Sequence, residues 1–234
     1  MHLKPSHLIS AVLPLCVLAA MLAGCRVNIS VGSGSYITGE DYPDARKYKT
    51  GAFTYAADEV KAVEVYWRSG EVALIESGAS ELSVSESGGE LPEDTALHYL
   101  LDGVVLRIRF CGSGARILVN EADKRLRLEV PKGIDISVHT TSALVKADAL
   151  EQGNILISAF SGRTELGTVT ADNIDLSSSS GAIRAGSGAE LSYTSGSGKL
   201  FTERSFTRRG ALYVFGSGEC RLTVETSSGN LEIR

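Results

Sequence analysis

A short phrase that returns through residues 134–234 constrains this chain more than any other feature. It is an apolar-x-apolar dyad, three small or polar residues, Ser-Gly, and a second apolar-x-apolar dyad. Counted from the serine, the copies centre on Ser142, Ser161, Ser180, Ser197, Ser217 and Ser228, with spacings of 19, 19, 17, 20 and 11. Six before zero stand Ile136, Ile155, Ile174, Leu191, Ala211 and Leu222, and three after stand Val145, Thr164, Ile183, Leu200, Cys220 and Leu231. Self-similarity at a fixed period near 20, made of short strands, points to an all-β fold of the parallel β-helix or β-solenoid kind.

Side chains alternate faces along a strand, so both members of a dyad point one way and the residue between points the other. Each Ser-Gly separates two such strands, and glycine's tolerance of positive φ lets the chain turn there. Two three-residue strands bury too little surface alone. Stacked coil on coil, their columns form one continuous core. An antiparallel sandwich with Ser-Gly hairpins is the competing arrangement. The same phrase occurs earlier in VEVYWRSGEVALIE around Ser69. Between the two regions, SELSVSES, VVLRIRF and RLRLEV alternate as strands, and 88–103 reads as a loop carrying Pro92. Residues 51–234 are therefore expected to form one domain.

Residues 1–24 read as a signal peptide: one Lys, then an apolar run from Leu8 to Leu22, too short to span a bilayer. The run ends in Leu22-Ala23-Gly24-Cys25, which resembles the lipobox of bacterial lipoproteins. That resemblance implies cleavage between Gly24 and Cys25 and lipidation of Cys25, placing the mature protein on the extracytoplasmic face of the cell envelope. Residues 25–50 read as a flexible tether, with turn signals at Gly32, Gly34 and Pro43. Loss of Lys4 with the leader leaves 22 Lys and Arg against 28 Asp and Glu. With no basic block, nucleic acid and anionic lipid headgroups are poor partners.

Together these features resemble the bacterial putative-adhesin family of β-strand-repeat domains, a family of unknown function. The resemblance is carried by the lipobox, Tyr48–Gly51, VEVYWRSGEV, LHYLLDGVVLRIRF, KRLRLEVPKGIDI and the Ser-Gly coils ending in ETSSGNLEIR. It implies a right-handed, pectin-lyase-like parallel β-helix and brings no catalytic residues. The first coil departs from the pattern, with Ser142-Ala143 in place of Ser-Gly.

The residues that could carry chemistry argue against an enzyme. No convincing helix follows the repeated serines, so none sits at a nucleophile elbow. Ser161, Ser180, Ser197, Ser217 and Ser228, with Gly162, Gly181, Gly198, Gly218 and Gly229, are expected to be turn and ladder residues of a corner. Asn154 and Asn173 share one repeat position and suggest an asparagine ladder. His98 and His139 lie 41 residues apart without metal-ligand spacing, so no metal or cofactor is expected. Asp172, Asp175, Glu190 and Glu203 fall at different repeat positions and form no column suited to polysaccharide cleavage. Cys111 and Cys220 are expected as buried thiols several strands apart, Cys220 in the plus-three core column, with a disulfide between them as the less favoured alternative.

The expected role is a membrane-anchored, non-enzymatic display or binding domain for a cell-surface, glycan or envelope-protein ligand. A module of envelope stress sensing is the alternative, and a polysaccharide-active enzyme the less favoured one. The phrase also runs to Arg234 without a polar cap, so the last coil is expected at the end of the stack. There it would be covered by the N-terminal half or by end-to-end self-association.

Overall fold

The computed structural model describes residues 36–88, 91–118, 124–186, 189–210, 212–215 and 220–233. Among the described residues the fold is all-β, with a single 3₁₀ turn at Ala45–Lys47. Its strands are β1 (Tyr36–Thr38), β2 (Lys49–Thr50), β3 (Phe53–Ala56), β4 (Ala62–Trp67), β5 (Glu71–Glu76), β6 (Glu81–Ser87), β7 (His98–Asp102), β8 (Val105–Arg109), β9 (Arg116–Leu118) and β10 (Arg125–Val130). Then follow β11 (Asp135–Thr140), β12 (Leu144–Ala159), β13 (Thr164–Ser178), β14 (Ile183–Gly186), β15 (Ala189–Ser195), β16 (Leu200–Thr202), β17 (Thr207–Arg209), β18 (Leu212–Val214), β19 (Cys220–Thr226) and β20 (Leu231–Ile233). Eighteen of them join one sheet system, and β1 and β9 pair separately.

Alternation places every second side chain inside. Val63, Val65 and Trp67 of β4 are buried, and so are Ile136 and Val138 of β11 and Ile155 and Ile157 of β12. These strands pair in parallel with like repeat positions opposite each other: Ile136 faces Val63 on one side and Ile155 on the other. One stack runs β8, β4, β11, the second half of β12, the second half of β13, β19, β15. A second runs β10, β5, the start of β12, the start of β13, β14, β20, β16. The middles of β12 and β13 make a short third side, where Ala149–Gln152 lie along Thr168–Ala171. The core fills the space between.

The order of rungs in space is not their order in the chain. Numbered by position, rung 1 is β8 with β10, rung 2 is β4 with β5, rung 6 is β19 with β20, and rung 7 is β15 with β16. The chain visits rung 2 before rung 1 and rung 7 before rung 6. The last phrase, around Ser228, is thus interior, with β20 between β14 and β16. This corrects the expectation that the last coil lies at the end of the stack.

Both ends are closed by antiparallel strands. At rung 1, β6 lies on β10 and β7 on β8, followed by β3 and β2. At rung 7, β18 lies on β15 and β17 on β18. Three further expectations change. β7 lies within the segment read as a loop. Residues 36–50 are held to the domain by β1 on β9, by β2 on β7 and by the buried ring of Tyr42. Of the expected tether only 25–35 remains, outside the described residues. The phrase around Ser217 does not supply a parallel rung, because β18 ahead of it runs antiparallel to β15. Ser217 and Gly218 themselves lie outside the described residues.

At the corners the repeated glycines serve a different need from the expected one. Gly162, Gly181, Gly198 and Gly229 do not have positive φ; Gly70 does, at 79°. Each of the four instead crosses directly over the carbonyl of the corner below, in the order Ala143, Gly162, Gly181, Gly229, Gly198. A Cβ added to Gly181 would overlap the Gly162 carbonyl oxygen and lie 2.8 Å from its carbon. Gly181→Ala is therefore expected to cost at least about 2 kcal/mol by forced overpacking. Gly78→Ala, where nothing lies within 4 Å, should stay within about 0.5 kcal/mol. Urea denaturation of both variants checks the contrast.

Candidate binding surface

The repeated serines sit along the corner, where their hydroxyls reach the neighbouring rung. Ser161 Oγ donates to the Thr141 carbonyl at 3.1 Å, Ser180 to Phe160 at 3.5 Å, Ser228 to Ser179 at 3.2 Å and Ser197 to Ser227 at 3.5 Å. Ser142 Oγ does the same to Arg68 at 3.3 Å, so Ser142-Ala143 joins this ladder despite its alanine. A second hydroxyl column, two residues earlier, was missed in the sequence. Thr140, Ser178, Ser195 and Thr226 accept from the backbone N–H at 143, 181, 198 and 229, respectively. The signal was present as T-T-S-A, S-S-S-G, S-G-S-G and T-S-S-G. It closes each corner as a local side-chain turn.

The outer face of the β8-to-β15 stack carries two ladders. Asn173 Nδ2 donates to Asn154 Oδ1 at 2.9 Å, and Asn154 Nδ2 to Asp135 Oδ1 at 3.0 Å. Nearer the corner, Arg109 lies 3.7 Å from the Tyr66 ring centroid, and Tyr66 stacks on His139 at 4.9 Å. Tyr42 covers the other face of Arg109 at 5.0 Å and packs on Tyr48 at 4.7 Å. Burial lowers the pKa of His139, with Arg109 adding to the effect and Glu64 opposing it, so the ring is neutral at physiological pH. His98 lies on β7, its Nδ1 3.1 Å from the Ala96 carbonyl oxygen.

The opposite outer face is a column of alternating charge. Arg184 reaches Glu165 at 3.1 Å and Glu232 at 2.9 Å, and Lys132 pairs with Glu76 and Glu151. Asp172, Asp175 and Glu203 are exposed, at separate places. Glu190 pairs through its backbone with Arg221 and Val214. Among the described residues no three His, Cys, Asp or Glu side chains gather as metal ligands do.

Cys111 is a free, buried thiol at the end of β8. Cys220 opens β19, opposite Ala189, and so does not occupy the plus-three column of the other stack. Five strand spacings, about 24 Å, separate the two, far beyond disulfide reach.

The most unusual buried group was not singled out in the sequence. Lys124 is 0% exposed and forms an ion pair with Glu86 at 2.5 Å. It also donates to the carbonyls of Thr95, at 2.7 Å, and Phe110, and lies 4.2 Å from the Phe110 ring centroid. Desolvation lowers its pKa, opposed by the Glu86 charge. Tyr42 Oη donates to the Cys111 carbonyl at 3.1 Å.

No family model and no curated protein matches the chain. Among solved structures, a putative cell adhesion protein from Clostridium sporogenes aligns over 80% of this chain and 99% of its own, with a TM-score of 0.60 and 10% identity. A putative adhesin from Bacteroides fragilis aligns over 80% of this chain and 97% of its own, with a TM-score of 0.36 and 12% identity. The likeness to the Clostridium protein is one of fold.

Two outcomes follow from the buried groups. Lys124→Met strands the Glu86 carboxylate and should cost about 3–5 kcal/mol, whereas Lys124→Met with Glu86→Leu should recover only the part due to the stranded charge, since the Thr95 and Phe110 carbonyls and the Leu97 N–H still lose their partners. Equal losses in a denaturation series would contradict this account. Burial also pushes the Cys111 thiol up from 9.0 to about 11 and the Tyr42 phenol from 10.0 to about 12. Both groups are neutral when protonated, so their stabilisation is complete below pH 9 and drains away as pH rises from 9 to 12. Cys111→Ala should flatten the alkaline loss of denaturation midpoint between pH 9 and 11, and Tyr42→Phe between pH 10 and 12. An unchanged slope in either variant would show that the group does not titrate this way.

Proposed function

We propose that the chain is a lipid-anchored bacterial envelope protein whose folded part is a parallel β-solenoid, displayed as a non-enzymatic, adhesin-like binding domain. The observation that carries this reading is how the chemistry-bearing side chains are used. The corner serines bond to neighbouring rungs, the carboxylates are dispersed or paired with cations, and the histidines lie on different strands. What remains is a broad outer face presenting His139, Asn154, Leu156, Asn173 and Asp175 across successive rungs. Such a face recognises a ligand by shape and by many modest polar contacts.

The fold shared with the Clostridium protein supports the reading, and that protein's name supplies the adhesion idea. The Leu-Ala-Gly-Cys sequence supports lipidation at Cys25 and attachment to the outer leaflet of a membrane. The partner would be a cell-surface or matrix ligand.

Deleting residues 134–234 is a poor test, since rung 2 would lose the strands of rung 3 paired along its other side. The face itself should be changed instead. His139→Ala, Leu156→Arg and Asp175→Arg are combined in cells bearing the protein, and attachment to immobilised matrix proteins and glycans is measured. At least a tenfold loss is expected on removing an interface centre, about 1.4 kcal/mol or more, with surface display unchanged. Undiminished attachment by the properly displayed variant would remove this face from the proposal.

A further inference from the structure

We propose that the rung 7 end of the stack is a docking site for an anionic membrane surface. This inference stands on the end itself and does not depend on lipidation of Cys25.

The chain as a whole carries a net charge of −5, but its cations are unevenly placed. Residues 199–210 contain Lys199, Arg204, Arg208 and Arg209 against the single acid Glu203. Residues 203–210 are exposed throughout, including all of β17. Two of the large exposed apolar side chains are here, Phe201 at 50% and Phe206 at 45%.

The aromatic edge has a rigid footing. Phe206 packs on Tyr213 at 5.3 Å and on Phe215 at 5.6 Å, and Phe215 is fully buried. Arg208 lies over the Tyr213 ring at 5.3 Å. The segment from β16 into the closing hairpin therefore presents cations and phenylalanines outward, at the opposite end of the stack from the rung 1 closure.

Three occupants can be compared. A second copy docking through the same end would set two cationic patches face to face, which opposes association. A soluble polyanion would use the cations and leave the phenylalanines in water. An anionic bilayer uses both: cations gather at the negative surface while aromatic side chains enter the boundary between headgroups and acyl chains. The acidic remainder of the domain is repelled, so contact is restricted to this end.

Residues 36–233 hold the whole described core and all the described strands, so a fragment from Tyr36 to Arg234 serves for the test. It is sedimented at low salt with vesicles of phosphatidylcholine mixed with phosphatidylglycerol, and with phosphatidylcholine alone. Binding to the anionic vesicles only is expected. It should weaken at least about tenfold for Arg208→Glu with Arg209→Glu, and several-fold for Phe201→Ser, the circular dichroism of both remaining native. Phe201 is chosen because Phe206 supports the cap. Failure to bind anionic vesicles, or binding indifferent to the charge reversal, overturns the proposal. Vesicle binding that ignores Phe201→Ser and is matched by binding to heparin also overturns it, in favour of a general polyanion site.

Discussion

Everything in this fold depends on how closely one corner can sit on the next. Parallel strands on either side hold successive rungs about 4.8 Å apart. At the corner the backbone amide of one serine bonds to a carbonyl of the rung below, Ser161 to Thr141 at 2.8 Å and Ser197 to Ser227 at 2.9 Å. With the chain that close, Gly162, Gly181, Gly198 and Gly229 each lie over a carbonyl oxygen, and only hydrogen fits at their α-carbons. The serine then adds its hydroxyl as a second donor to the same carbonyl. Ser-Gly is thus a statement about approach distance, and the inward columns on either side are aligned because the corners are.

Equivalent corners do not dictate which rung lies on which. Each phrase presents the same columns, so Ile174 would accept either Leu191 or Leu222 as a neighbour, and the structure gives it Leu222. The distinction lies on the outer face. Between β14 and β16, β20 places Glu232 against Arg184, completing a Glu165–Arg184–Glu232 sequence of alternating charge. In chain order Arg184 would face Phe201. Exposed pairs of this kind add little stability, about 0–1 kcal/mol each, yet they suffice to bias a choice between arrangements with equal cores.

That distinction explains what could be read beforehand. Period two within strands and period near 20 between them report burial, so the inward residues of β4, β11, β12 and β13 were visible as columns. The order of rungs 6 and 7 was not, because both orders satisfy the same inward columns and the same period. Nor could alternation separate β6 and β18 from the stacked strands, since it is blind to strand direction. The phrase around Ser217 shows the consequence: Tyr213 stands where a core residue was expected and instead belongs to the closing hairpin. Lys124 carried no signal at all. A lysine in a polar stretch reads as solvated, and only the tertiary fold puts a carboxylate and two carbonyls around it.

The two ends close the core by opposite means. At rung 7 the closing residue is apolar, the buried Phe215, which packs against the Phe206 ring. Rung 1 is different. Its two strands, β8 and β10, are separated in the chain by β9, and the carbonyls of Thr95 and Phe110 converge on Lys124. A leucine there would exclude water but leave both acceptors and Glu86 unsatisfied, a desolvation cost of a few kcal/mol. An ammonium donates to all three at once and lies over the rings of Trp67 and Phe110. Burying a charge at rung 1 therefore follows from interrupting the corner there, and the uninterrupted corner of rung 7 lets that end keep its cations on the surface.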